Sequence, residues 1–231
     1  MLDTLLSFKK FHQLERIRER FAEHGNIIGS GSGTIIARHG LVLTASHVVK
    51  RGRRAQVLVG SKMYPAKIVK RFPDLDVLLL QIMSRNVEYH FSELIDCQKF
   101  FLGMPVFSVG FPNPEIQGYF PKYTEAYVSA SRGILGKKSM VQFTADEAAG
   151  CSGAGLFDQD GRVVGVVTAM LDNSKDEDDL PADVSFAIKS GSFYPEVSRH
   201  LPIPIKNKSA RSRNSVIKTA TMSSVLVLAT E

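Results

Sequence analysis

The 231-residue sequence predicts an all-β protein, a barrel or a sandwich built from short strands. Apolar, β-branched runs of strand length recur from Thr34 onwards, and most of them are too short to form a helix. Glycine, proline and charged residues separate these runs at intervals of about 8–12 residues, a spacing typical of barrels and sandwiches. The sequence contains no repeat of fixed period.

Eleven runs are predicted to be strands within a domain over residues 25–200. In chain order they are Thr34–Ala37, Leu41–Thr44, Ala55–Val59, Tyr64–Val69, Val77–Ile82, Pro105–Val109, Tyr123–Ala130, Met140–Thr144, Gly155–Phe157, Val163–Thr168 and Val184–Ile188. A break near Asn86–Gln98 is predicted to link two halves, with the boundary near residues 86–100.

The N-terminal segment, residues 1–24, is predicted to hold one amphipathic helix over residues 2–21. Apolar residues recur there at helical spacing between Glu and Arg: Leu2, Leu5, Leu6, Phe8, Phe11, Leu14, Ile17 and Phe21. We expect this helix to pack on the outside of the main domain, with docking to a partner or to a membrane surface as the alternative.

The composition excludes several classes of protein. Apolar residues make up 44% and charged residues 23%, as in an ordinary soluble globular protein. Because Cys97 and Cys151 are the only cysteines, no disulfide framework and no Cys₄ or Cys₃His zinc site is possible, and we expect no metal or other cofactor. No apolar run approaches the roughly 18 residues of a membrane span, and the N-terminus lacks a signal-peptide pattern. We therefore expect a cytoplasmic protein.

The positive charge lies mostly at the C-terminus. The net charge is +6, and residues 206–231 hold five of the 29 basic and one of the 23 acidic residues, which leaves 24 and 22 in the rest. From about Ile205 the chain is rich in Lys, Ser, Arg, Asn and Thr without strong periodicity. This composition predicts a disordered, flexible basic tail over residues 201–231, which would bind nucleic acid weakly at most.

Three segments place chemically active side chains beside predicted strands. Leu43–Val49 puts His47 immediately after a strand, and Phe72–Ile82 puts Asp76 at the start of an apolar strand, where a carboxylate is partly buried. Ala149–Gly155 puts Ser152 between glycines. A serine hydroxyl needs an adjacent base, the histidine needs a carboxylate to set its tautomer, and an oxyanion needs exposed backbone N–H groups. These segments supply each of those groups.

Other interpretations of the same residues remain open. Asp74 could be the acid, although it stands two residues outside the strand, and Cys151 could be the nucleophile. In a purely structural interpretation, His47 would be a core histidine and Ser152 a turn serine. The remaining histidines are interpreted as surface residues: His12, His24, His39, His90 and His200.

Six segments resemble the trypsin/chymotrypsin-like serine proteases in the same order, and most closely the HtrA/Deg branch. They are Gly31–Ala37, Thr44–Val49, Asp76–Ile82, Gly150–Gly153, Gly161–Ala169 and Ser185–Ile188. Together they cover roughly residues 28–192. The resemblance implies two antiparallel six-stranded β-barrels with the active site in the cleft between them.

The resemblance also implies a serine endopeptidase that acts on polypeptide substrates. Ser152 would be the nucleophile, His47 the general base and then acid, and Asp76 the residue that orients His47. The backbone N–H groups of Gly150 and Ser152 would form the oxyanion hole. No room for a PDZ domain remains after residue 200, and an oligomer formed through the N-terminal helix is a further expectation.

The resemblance leaves the substrate preference open. Asp146 lies six residues before Ser152, where trypsin-like enzymes carry the acid that selects basic P1 side chains, whereas HtrA-like members prefer aliphatic ones. The expected pocket wall, which favours an aliphatic P1, is apolar apart from one serine: Ser185, Phe186, Ala187 and Ile188. Cys151 replaces the aspartate of digestive members, so zymogen activation of their kind is not expected.

Three alternative functions accompany the endopeptidase prediction. The first two are an inactive protease-fold module that binds peptides and an adaptor that uses the basic tail. The third is a protease that processes a viral or phage polyprotein.

The acidic run Asp172–Asp179 is expected to be a solvated loop, with a weak cation site as the alternative. Deletion of residues 206–231 is predicted to leave peptidase activity intact.

Overall fold

The protein folds into two closed six-stranded antiparallel β-barrels, which confirms the predicted fold class. The structure, a computed structural model, describes residues 27–49, 54–145, 150–168, 184–202 and 212–231. The strand order is β1-β12-β3-β4-β5-β2 in the first barrel and β10-β11-β8-β7-β6-β9 in the second. The predicted N-terminal helix lies outside the described residues.

All eleven predicted strands are present, and a twelfth joins them. The strands are β1 Ile27–Ala37, β2 Leu41–Ala45, β3 Arg54–Val59, β4 Lys62–Phe72, β5 Val77–Ile82, β6 Pro105–Gly110, β7 Lys122–Ala130, β8 Met140–Phe143, β9 Gly155–Phe157, β10 Val163–Thr168, β11 Ser185–Lys189 and β12 Ser224–Thr230. The described α-helices are α1 Pro114–Gln117, α2 Tyr194–Val197 and α3 Arg213–Ser223. Short 3₁₀ turns cover Ser46–Val49, Pro73–Leu75, Ile134–Gly136, Ser190–Ser192 and Ser198–His200. None of the described helices has the length and hydropathy needed to cross a membrane.

Several strands are apolar on both faces because the barrels bury both. Along β5, Leu78 and Leu80 belong to the core of the first barrel. Their neighbours Val77 and Leu79 belong to a second group of side chains that comes from both barrels, which we call the interbarrel cluster. Since successive side chains in a strand point to opposite faces, this double burial explains the continuous apolar run of β5, and β10 shows the same division.

The predicted disordered tail is wrong for residues 212–231. They form α3 and β12, and every residue of β12 is buried. β12 pairs with β1 on one side and β3 on the other, which closes the first barrel. The physical reason is that residues 225–230 are an unbroken apolar and β-branched run, and the basic residues that precede it obscured this signal. Deletion of residues 206–231 is therefore expected to open the first barrel and not to leave activity intact.

Residues 212–231, which we call the C-terminal strap, span both barrels. Arg213 anchors the start of α3 on the second barrel, where its guanidinium donates to Gln159 Oε1 at 2.6 Å and to the Tyr123 hydroxyl at 2.7 Å. The same group forms an ion pair with Glu125 on β7. Val216 and Ala220 of α3 then pack in the interbarrel cluster, and β12 enters the wall of the first barrel.

Candidate active site

The pairing of β2 with β5 brings His47 and Asp76 together. These strands are antiparallel with Ala45 opposite Val77, so residues just after β2 face residues just before β5. His47 lies on the 3₁₀ turn that follows β2, and Asp76 immediately precedes β5. Asp76 adopts a left-handed conformation with φ 54°, which Asp tolerates better than most residues. The backbone N–H of Ser46 donates to the Asp76 carbonyl at 2.9 Å and fastens the two turns together.

The Asp76 carboxylate accepts three hydrogen bonds. His47 Nδ1 lies 2.6 Å from Oδ2, the His47 backbone N–H donates to Oδ1 at 2.9 Å, and Thr168 Oγ1 donates to Oδ2 at 3.1 Å. Burial raises the pKa of Asp76, but the hydrogen bonds and the charge interaction with His47, together with the bond from Thr168, outweigh it, so the pKa lies below its ordinary value. Of the two acids considered, Asp76 contacts His47, whereas Asp74 is exposed.

The turn that carries Ser152 is pressed against the first barrel. Gly150 and Gly153 have φ values of 96° and 90°, the left-handed region that favours glycine. A Cβ atom on Gly153 would lie 2.2 Å from the Ser32 carbonyl oxygen and 2.4 Å from Thr44 Oγ1, so only glycine fits there. We call residues 150–154 the nucleophile turn.

Two hydrogen bonds made by neighbouring residues of β10 connect Asp76 with the nucleophile turn across the seam between the barrels. Thr168 bonds to Asp76, and its neighbour Val167 accepts a hydrogen bond at 2.7 Å from the N–H of Gly153, the residue after Ser152. Ser152 is 6% exposed, whereas the His47 side chain is 40% exposed. Ser152 is therefore largely buried, whereas the His47 side chain is accessible to solvent.

The structure separates the residues predicted to line the specificity pocket. Ser185 donates to the Ala145 carbonyl at 2.7 Å, at the border of residues 146–149. Phe186 and Ile188 pack in the interbarrel cluster, and Ala187 packs in the core of the second barrel. Asp146 and the acidic run of residues 172–179 lie outside the described residues. The pocket assignment therefore stays a prediction.

Sequence reasoning missed two polar contacts at the site. Thr168 was recognised only as the end of a strand, although a hydroxyl at that point reaches Asp76. Ser32 was recognised only as part of a glycine-serine-glycine motif, although it contacts the nucleophile turn. The signal for Thr168 is a hydroxyl at the end of an otherwise apolar buried strand, whereas Ser32 stands between two glycines and has no comparable signal.

The metal-site and histidine predictions can be compared with the described residues. Across the part of the chain that the structure describes, no group of three or more His, Cys, Asp or Glu side chains is arranged to hold a metal ion. His39, His90 and His200 are exposed, as predicted, whereas His12 and His24 lie outside the described residues.

A two-barrel fold with a histidine–aspartate pair and a glycine-flanked serine at its seam defines the chymotrypsin-like class. The family model described as trypsin-like peptidase domain matches residues 31–166, more than half of the chain. The chain belongs to this family.

Individual proteins are similar to this chain in sequence or in fold. The chain is 31% identical over 176 residues to the uncharacterized protein y4bJ of Sinorhizobium fredii, a match that covers 74% of this chain and 27% of the relative. It is 32% identical over 148 residues to a probable periplasmic serine endoprotease, DegP-like, of Pseudomonas putida, with 62% and 30% covered. The chain thus spans about a third or less of the length of these curated relatives. The crystal structure of the MamO protease domain from Magnetospirillum magneticum shares the fold, with a TM-score of 0.59, 20% identity and coverage of 78% of this chain and 93% of that one.

Proposed function

We propose that this protein is a serine endopeptidase that hydrolyses peptide bonds through an acyl-enzyme on Ser152. The observation that carries the proposal is the 2.6 Å contact between His47 and Asp76, tied through Thr168 to the strand that also holds the nucleophile turn. Membership of the trypsin-like peptidase family and the likeness to DegP-like endoproteases support it.

In the proposed reaction, His47 Nε2 takes the proton of Ser152 Oγ while that oxygen attacks the scissile carbonyl carbon. Asp76 accepts the Nδ1–H bond, which leaves Nε2 as the base and stabilises the imidazolium that forms. The N–H groups of Gly150 and Ser152 bind the oxyanion. The C–N bond then breaks as His47 protonates the leaving amine, and a water molecule releases the acyl group by the same steps in reverse.

Labelling with a fluorophosphonate probe tests this proposal. We expect the wild type to be labelled stoichiometrically and the Ser152→Ala variant not at all. The His47→Ala variant should be labelled at least about a thousandfold more slowly than the wild type. Cys151→Ala is the matched control, because it changes the neighbouring residue and should keep the label. Labelling that persists in Ser152→Ala would overturn the assignment, and an unlabelled wild type would support an inactive binding module.

We further propose that the enzyme prefers aliphatic over basic P1 side chains. Hydrolysis of two fluorogenic peptides that differ only in a P1 Val or Arg measures this preference. We expect faster cleavage of the Val peptide. Faster cleavage of the Arg peptide, reduced by Asp146→Asn, would show instead that Asp146 selects a basic side chain.

A further inference from the structure

Strand β1 of the first barrel contacts the nucleophile turn of the second at two points that belong to a single residue. The backbone N–H of Ser32 donates to the Ser152 carbonyl oxygen at 2.8 Å. The Ser32 hydroxyl donates to the Gly150 carbonyl oxygen at 2.6 Å. Ser32 itself is 0% exposed, so neither bond competes with solvent.

The direction of the hydroxyl is set by a third contact. The backbone N–H of Phe111, just after β6, donates to Ser32 Oγ at 2.8 Å. Because this bond occupies an acceptor site of the oxygen, the single hydroxyl proton is directed to Gly150. The fit is close, since a Cβ atom on Gly110 would lie 3.0 Å from Ser32 Oγ.

These contacts hold both ends of a three-residue segment, Gly150 to Ser152. That segment contains the proposed nucleophile, Ser152, and its backbone N–H. The Ser32 hydroxyl holds the carbonyl of the peptide group that joins Gly150 to Cys151. Deletion of the hydroxyl would leave the Gly150 carbonyl free to rotate and would leave the Phe111 N–H unpaired in a buried place. The backbone bond to Ser152 would remain.

We infer that Ser32 is a positioning residue that sets the geometry of the oxyanion hole from the opposite barrel. This inference rests on the proposed function of the same site. Donors to an oxyanion act only when they point to where charge develops, so their misplacement weakens binding of the transition state more than binding of the substrate. The expected signature is a loss in kcat with KM nearly unchanged.

Two variants of the same shape isolate the hydroxyl. Ser32→Thr and Ser32→Val add the same branch to the side chain, and only the threonine keeps the oxygen. We expect kcat of the valine variant to be about 10- to 100-fold below that of the threonine variant, with KM within about twofold. The inhibition constant of a peptide boronic acid, a tetrahedral mimic, should rise by the same factor.

Ser92→Ala is the control for loss of a buried hydroxyl. Ser92 is 1% exposed and its Oγ lies 2.9 Å from Ser223 Oγ, away from the nucleophile turn. The kcat of the Ser92→Ala variant should therefore match that of the wild type, even where the melting temperature of the variant falls. Where the valine variant does not fold, Ser32→Ala, which adds no branch, is compared with the wild type instead.

Equal kcat in the threonine and valine variants, or a loss confined to KM, would overturn the inference while the Ser152 label stays intact. A wild type that the fluorophosphonate does not label would overturn the proposed function and this inference with it. A kcat loss in Ser92→Ala as large as in Ser32→Val would also overturn it, because the effect would then follow stability.

Discussion

The two barrels have the same strand arrangement but draw on the chain differently. The second barrel is built from the consecutive strands β6 to β11. The first combines β1 to β5 with β12, which follows the whole second barrel in the sequence. If β12 is counted as the first strand of its barrel, the order around both barrels is identical. The position that β6 fills in the second barrel is filled in the first barrel by β12, which is far from β1 to β5 in the sequence.

The architecture therefore requires a strand at that position but does not require that strand to be adjacent in sequence. The register places Ile27, at the start of β1, opposite Thr230, at the end of β12. Ser32, which contacts the nucleophile turn, lies opposite Leu226 in the same ladder. The strap therefore supports the strand on which the proposed active site depends.

Removal of the strap gives the largest expected effect. Without residues 212–231, β1 and β3 lose their shared partner, and the core loses Val225, Val227 and Ala229. We expect the truncated chain to show no cooperative thermal transition by circular dichroism and no fluorophosphonate label. Removal of residues 1–24 is the matched control, because it leaves all twelve strands in place. A truncated chain that melts cooperatively and is labelled would show that the first barrel closes without β12.

Single substitutions test whether the two barrels unfold together. Leu226 in β12 and Leu156 in β9 are both 0% exposed, so either Leu→Ala change should lower the free energy of unfolding by about 2–5 kcal/mol. Because the interbarrel cluster joins the barrels, we expect both variants to shift one common transition in urea. Met222→Ala, at a partly exposed position of α3, should cost much less. Two separate transitions, of which each variant moves only one, would show that the barrels unfold independently.

The anchor of the strap on the second barrel gives the smallest expected effect. The Arg213 side chain is 41% exposed and its partner Glu125 51% exposed, so water and salt screen their ion pair. With the bonds to Tyr123 and Gln159 included, Arg213→Ala should lower the free energy of unfolding by about 1 kcal/mol, and less in high salt. Lys218→Ala, an exposed change on the same helix, is the control. A loss as large as that of Leu226→Ala would mean that this anchor, and not β12, holds the strap.

Most of the fold was predictable because its signals are local. The eleven predicted strands agree with the structure to within a few residues, except that β1 begins seven residues before its predicted start at Thr34. Those residues include three glycines and form a strand because they pair with β12. The error at β1 and the error at the C-terminus are thus one error, since a pairing between the two ends of a chain leaves no pattern in either end alone.

The candidate site likewise contains residues that the sequence proposes and residues that it does not. The sequence proposes His47, Asp76 and Ser152 because each stands in a short motif whose chemistry is recognisable, and the structure brings His47 and Asp76 into contact. The contacts of Ser32 and Thr168 could not be predicted, because each joins one barrel to the other across the seam. Residue type and spacing along one strand contain no information about which residues of the other barrel lie next to that strand.

The pairing of β1 with β12 also has a consequence for the order of events during synthesis. Ile27 and Thr230 are about 200 residues apart in the chain, and at about 5–20 residues per second a ribosome needs roughly 10–40 s to make the second after the first. Throughout that interval β1 lacks β12, and by the time β12 is made every strand of the second barrel has been made. We therefore expect any activity that depends on the seam to begin only once β12 is available to pair with β1.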